Sequence, residues 1–138
     1  MASIRKEIAS TASPDDVWAA LRDVGALHTR VAPGFVVDTR LEPGARIVTF
    51  GNGMVVRELI VAIDDEARRL VWSAISERLT HHNASAQVFP GAGGSGSKVV
   101  WIADLLPNEA RDTIDLMMEQ GMGVMKTTLD RLTETTKK

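Results

Sequence analysis

Few residues in this chain could carry chemistry, and their spacing limits what that chemistry would be. The three histidines, His28, His81 and His82, are the side chains able to exchange protons near neutral pH. His81 and His82 are neighbours in a stretch of strand character, so they point to opposite faces. His82 shares its side with Ala84, Ala86 and Val88, the more apolar alternation, and is expected to be the inward one. Three readings fit it equally: a polar group on a cavity wall, a hydrogen-bonded buried histidine, or an exposed strand end. His28 falls in a short helical stretch, where its ordinary reading is a solvent-exposed residue.

Arg46, Arg57 and Glu58 belong to one hairpin. A three-residue loop sets Arg46 opposite Glu58, and a two-residue loop sets Ile47 there instead. Glu58 or Arg57 could serve as a cavity acid or as an anchor for a ligand carboxylate. The favoured reading is a surface ion pair across the strands, worth at most about 1 kcal/mol. Asp104 would be a base with a raised pKa if buried. Val99, Trp101, Ala103 and Leu105 make the cleaner inward set, however, so Asp104 is expected to face solvent with Val100 and Ile102. Trp18, Trp72 and Trp101 could stack a flat ligand or simply fill a core. Core filling is favoured for Trp18, Trp101 is expected inward, and both alternations around Trp72 are mixed.

Several reaction classes lack their residues. With no cysteine, and no HxH or HExxH spacing, no metal site is expected and no cofactor is implied. The H-x-E…C-x-x-C pattern of a zinc deaminase is absent as well. Pro90 to Ser97 is glycine-rich but lacks the Gly-Lys-Ser/Thr ending of a phosphate loop, and it joins two strands. It reads as a mobile hairpin connection.

The element that must position these groups is a long helix predicted from about Asn108 to Thr135. Asn108 is a candidate cap after Pro107. Acids lie early (Glu109, Asp112, Asp115, Glu119) and bases late (Lys126, Arg131, Lys137, Lys138), which suits the helix dipole. Ile114, Met118, Gly121, Met122, Met125, Leu129 and Leu132 share one face. Methionine is long and adaptable, whereas each interior glycine costs about 1 kcal/mol relative to alanine. Gly121 and Gly123 therefore need a reason. Close packing on a sheet is the favoured one, and a helix laid across a ligand cavity is the other.

Ahead of that helix the chain reads as a strand (Ile4 to Thr11) and a helix begun by Ser13-Pro14-Asp15-Asp16 with Gly25 as its C-cap. A second short helix (Ala26 to Arg30) ends at Pro33-Gly34. Six strands follow: Phe35 to Leu41, Arg46 to Phe50, Met54 to Ile63, Arg69 to Ser76, Thr80 to Phe89 and Lys98 to Leu106. Gly51-Asn52-Gly53 is a strong hairpin signal. The antiparallel run must hide one face, and only the terminal helix is long enough to cover it.

At 138 residues and 44% hydrophobic composition, one globular domain spanning 1–138 is expected. A net charge of −2 with no basic stripe argues against nucleic acid as a partner. No signal peptide and no apolar stretch near ~20 residues is present, so a cytoplasmic protein without a membrane span is expected.

The pattern resembles the START-like helix-grip superfamily, which includes polyketide cyclase/dehydrase-like and lipid-transport proteins. It is carried by Ser13-Pro14-Asp15-Asp16-Val17-Trp18, Pro33-Gly34, Pro43-Gly44-Ala45-Arg46 and Phe50-Gly51-Asn52-Gly53. Val56-Arg57-Glu58-Leu59, Asp64 to Trp72, Val99-Val100-Trp101, Leu106-Pro107 and the final helix complete it. The resemblance implies an α+β helix-grip fold: a curved antiparallel seven-stranded sheet around a long C-terminal helix, with two short helices after the first strand. It places His28 at a cavity mouth. The superfamily has no shared catalytic motif, and this chain departs from a typical member in having no Tyr and a glycine-expanded final hairpin.

The expected function is binding of a small hydrophobic or aromatic molecule, lipid- or polyketide-like, between sheet and helix. Trp101, Trp72, Met118, Gly121, Met122 and Met125 would form the wall, and His82 or His28 would give a polar contact. One alternative is a polyketide cyclase or dehydratase using His28, His82 or Glu58 as acid or base. Another is a regulatory or co-chaperone-like interaction protein, and a homodimer is compatible with any of these.

Overall fold

The sheet begins with β1 (Ala2–Ser10), in which Ala2, Ile4 and Ser10 are buried while Ser3 and Arg5 are exposed, so one face is committed to the interior from the first strand. The computed structural model describes residues 1–136. Lys137 and Lys138, two of the late basic residues assigned to the terminal helix, lie outside the described residues. After β1, Ser13 caps α1 (Pro14–Arg22), its hydroxyl accepting the Asp16 N–H at 3.1 Å. Val17, Trp18, Ala20 and Leu21 are buried, as the spacing requires. The helix ends at Asp23 rather than at Gly25. Gly25 instead lies in a 3-10 turn (Val24–Ala26), where a Cβ would come within 2.9 Å of the Leu41 side chain. The second short helix is a π turn, Leu27–Val31.

Six strands follow: β2 (Val36–Glu42), β3 (Ala45–Phe50), β4 (Val55–Asp64), β5 (Arg69–Ile75), β6 (His81–Pro90) and β7 (Ser97–Leu106). The sheet order is β1-β7-β6-β5-β4-β3-β2, and every neighbouring pair is antiparallel. Register shifts between Val36 and Asp38 and between Ile60 and Ala62 are bulges, which bend a strand and increase its twist. The result is the curved sheet of the helix-grip fold, with its concave side toward the terminal helix.

The glycine-rich connection is a folded hairpin end. Gly91 donates its N–H to the Gly96 carbonyl at 3.0 Å, and Ala92–Gly94 forms a 3-10 turn. Gly96 combines φ +66° with a backbone placed directly against the Ser10 carbonyl, so a side chain would be both strained and blocked.

The terminal element starts as a 3-10 turn (Asn108–Ala110) and continues as α2 (Arg111–Thr136). Asn108 does not act as the cap: it lies inside the 3-10 turn, which has no side-chain cap bond. Met118, Gly121, Met122, Met125 and Leu129 are buried, with Ile114 and Leu132 partly so. Each such fully buried Met or Leu contributes roughly 1.5–3 kcal/mol. Polar clamps fix the helix on β1. Lys6 Nζ lies 2.7 Å from Asp115 and 2.8 Å from Glu119, and Lys126 donates to the Ala9 carbonyl at 2.7 Å. The Thr11 N–H donates to Asp130 at 3.1 Å.

The two helix glycines have different reasons. A Cβ on Gly121 would lie 3.1 Å from the Phe35 ring and 3.3 Å from Trp101, so this glycine lets two aromatic rings reach the helix backbone. Gly123 is exposed and a Cβ there would meet nothing within 4 Å. Only one of the two is therefore offset by packing. Gly123→Ala is expected to raise the unfolding free energy by about 0.5–1 kcal/mol. A urea midpoint that stays the same or falls would show that this position has a constraint the packing does not reveal.

Candidate functional site

The hairpin between β3 and β4 sets the geometry of the interior. Its loop is the three residues Gly51-Asn52-Gly53, with the Phe50 N–H donating to Met54 and the Gly53 N–H donating to Phe50. Arg46 therefore pairs with Glu58 and Val48 with Val56, all four buried on the concave face. The same row continues across the sheet: Glu58 stands opposite Ala74, and the β5–β6 register that pairs Trp72 with Ala84 brings Ala74 beside His82. Glu58 and His82 are thus two strands apart, about 10 Å.

Between this row and α2 lies a cavity of about 450 Å³. Its walls include Trp72, Trp101, Met117, Met118, Leu79 and His82, and its exposed lining residues include Asn52, Arg78 and Gln120. A deeper chamber of about 70 Å³ is lined by Leu21, Val31, Leu70, Gly121 and Met125, among others. The two chambers share Phe35, Phe50, Glu58, Trp72 and Trp101. The Trp72 and Trp101 rings are 6.1 Å apart and tilted, and Phe35 meets Phe50 edge-on at 5.5 Å. Most of the lining is apolar, as in small-molecule sites.

The Arg46–Glu58 pair is not at the surface. Arg46 Nε donates to Glu58 Oε1 at 2.8 Å, with side chains only 4% and 10% exposed. The favoured surface reading fails because the register and the curvature of the sheet turn both groups inward. Arg46 also lies over the Trp72 ring at 5.7 Å and reaches the Val24 carbonyl at 3.4 Å. Arg57, on the outer side of the hairpin, is exposed and pairs with Glu42 at 3.1 Å.

His82 is half-buried on the wall of the larger chamber, while His81 is exposed. The backbone N–H of Ala74 donates to His82 Nδ1 at 3.0 Å. Burial holds the imidazole below the ordinary histidine pKa, the charge of His81 adds to this, and Asp104 pulls the other way. The folded state therefore binds this proton less tightly than the unfolded chain. Its contribution to stability is fully present above the unfolded pKa of about 6.5 and is lost as pH falls through that value toward the lower folded one. Between pH 7 and pH 5, His82→Phe is expected to lose less stability than the unmodified protein in paired urea titrations. Parallel curves would mean that His82 is not protonated more readily on unfolding.

The remaining candidates disperse. Trp101, Trp72, Met118, Gly121, Met125, Glu58 and His82 line one chamber or both. Met122 is buried in the core and lines neither. His28, half-buried in the π turn, also lines neither, and its Nδ1 has no hydrogen-bond partner among the described residues. Trp18 is buried in the core, donating to Asp65 at 2.9 Å. Asp104 shares the outer face with Val100 and Ile102, which line a groove there with Arg5 and Lys98. Phe35, Phe50, Leu79 and Arg78 were not singled out by the sequence. Phe50 was readable, because Arg46, Val48 and Phe50 alternate on one face. Phe35 was not, because it precedes β2 and is held by its carbonyl accepting from Gly51 at 2.9 Å. Among the described residues no group of three His, Cys, Asp or Glu could hold a metal ion, and no helix is long and apolar enough to cross a membrane.

A family model described as polyketide cyclase/dehydrase and lipid transport matches residues 1–136. No curated protein matches by sequence. Among solved structures, XoxI from Bacillus cereus superposes with a TM-score of 0.83 at 18% identity, covering 94% of this chain and 96% of that one. The di-domain ARO/CYC BexL from the BE-7585A biosynthetic pathway gives 0.80 at 14% identity, covering 96% of this chain and 48% of that one. A START superfamily protein from Mycobacterium smegmatis gives 0.70 at 10% identity, covering 96% and 97%. At these identities the likeness establishes the fold.

Proposed function

The chain belongs to the polyketide cyclase/dehydrase and lipid transport family, and from that premise we propose that it binds a small hydrophobic or aromatic molecule in the cavity between sheet and α2. The observation that carries this is the outer chamber itself: about 450 Å³ of space walled by Trp72, Trp101, Met117 and Met118. A core built only for stability would close such a space, because protein interiors pack as densely as organic crystals. Methionine walls can repack around different shapes, which favours loose specificity. The paired aromatic rings suit a flat molecule, and the ARO/CYC likeness suits one of polyketide type.

The acid–base reading draws less support. His82 and Glu58 both line the chamber, but no hydrogen bond joins them. Glu58 is engaged by Arg46, and the His82 Nδ1 lone pair is engaged by a backbone N–H. Neither is arranged as the partnered base a cyclase or dehydratase would use.

Native mass spectrometry of the purified protein tests the binding reading. A retained small molecule, released on denaturation, is the expected result, and its mass would narrow the chemical class. Protein that carries nothing, and whose tryptophan fluorescence is unchanged on titration with naphthalene-sized aromatics, would defeat the proposal.

A further inference from the structure

Resting on that reading, we infer that the cavity selects its ligand by hydrogen-bond polarity: it takes an aromatic molecule presenting an oxygen acceptor, and His82 is the fixed donor that reads it. A neutral imidazole has one N–H and one lone pair. The Ala74 N–H donates to Nδ1, so the lone pair is there and the proton is on Nε2. Nε2 has no protein partner among the described residues, and His82 lines the outer chamber. The group offered to a ligand is therefore an N–H.

A second observation points the same way. The indole N–H of Trp101, whose ring is on the wall of both chambers, is buried and without a hydrogen-bond partner among the described residues. A buried donor left unmatched is costly, and such groups are rare in folded proteins. The charged groups of the wall do not favour a cationic ligand. Arg46 and Glu58 neutralise each other. At the exposed end, Arg78 is a cation with no ion-pair partner among the described residues. A carbonyl, phenolate or carboxylate oxygen matches the His82 and Trp101 donors, and an ammonium group meets no net negative charge on this wall. The tautomer also separates this role from catalysis, since a base would need its lone pair free on the ligand side.

The test uses two probes of nearly equal shape, 2-acetylnaphthalene and 2-ethylnaphthalene, titrated against tryptophan fluorescence at pH 7.5. The quantity read is the ratio of their dissociation constants. The acetyl compound is expected to bind about tenfold more tightly, the yield of one net hydrogen bond. In His82→Phe the ratio should fall to about one, and in His82→Gln, which keeps an N–H donor, part of the preference should return. Equal affinities for the unmodified protein, or a preference that survives in His82→Phe, would overturn the inference while leaving the cavity reading in place. Failure of both probes to bind would remove the cavity reading and this inference with it.

Discussion

Glu58→Ala is expected to lower the unfolding free energy by about 3–5 kcal/mol, which is a large part of the stability of a domain this size. The cause is the guanidinium left behind. Arg46 is 4% exposed in its side chain and its Nε loses the carboxylate oxygen 2.8 Å away. The Val24 carbonyl at 3.4 Å and the Trp72 face at 5.7 Å are the contacts that remain, and neither carries a countercharge. Arg46→Met should cost a comparable amount, because it leaves the carboxylate buried instead. The double variant Arg46→Met/Glu58→Leu should be far less harmful than the sum of the singles, and similar replacements of buried pairs have been neutral or stabilising by 1–4 kcal/mol. Urea unfolding of all four proteins closes this cycle. A single-variant cost below about 1 kcal/mol would place the pair in effective contact with water, whatever its accessible area.

The same cycle separates structure from recognition. Two buried charges on the wall of a mostly apolar cavity are an expensive way to fill space. If the double variant is stable but its acetyl-to-ethyl probe ratio changes, the pair acts on the ligand. If the ratio is unchanged, the pair serves chiefly to hold β3 against β4 in register.

The fold was legible because its punctuation is local. Ser13-Pro14 starts α1, Pro33-Gly34 closes the short helices, and Gly51-Asn52-Gly53 turns the hairpin, each through the backbone preferences of one or two residues. The alternations of β6 and β7 likewise named Ala84, Ala86, Val99, Ala103 and Leu105 as inward. The site was less legible because it depends on sums of registers. Whether Arg46 meets Glu58 in water or in the interior is decided by a three-residue loop and by the bulges that curve the sheet, and charge alone suggested water. Trp72 had mixed neighbours on both sides, and only its place between Ile60 and Ala84 on adjacent strands, with its ring on the cavity wall, shows it to be interior. Gly25 and Asn108 were misassigned as caps for a related reason. Both residue types favour helix ends, but the adjoining 3-10 turns take over those positions.

Gly121→Leu has the other large expected effect, this time on binding. Gly121 is not an open notch in the helix. A Cβ would already press on the Phe35 ring at 3.1 Å and on Trp101 at 3.3 Å, and both rings line both chambers. The four carbons of a leucine side chain would enter the inner chamber, about 70 Å³, and push these rings into the outer one. Affinity for 2-acetylnaphthalene is expected to fall at least about a hundredfold, equivalent to some 2.7 kcal/mol. The change in stability should be smaller. Overpacking costs about 1–3 kcal/mol, but leucine is a better helix former than glycine by nearly 1 kcal/mol. Far-ultraviolet circular dichroism should therefore still show a folded protein. Gly121→Ala is the graded control. Its methyl needs only a few tenths of an ångström from each ring, so stability should be nearly unchanged while affinity drops by a smaller factor. Affinity that survives leucine at this position in a folded protein would mean that no ligand atom depends on the space beneath Gly121, and the binding surface would have to be sought nearer the exposed end, around Arg78 and Gln120.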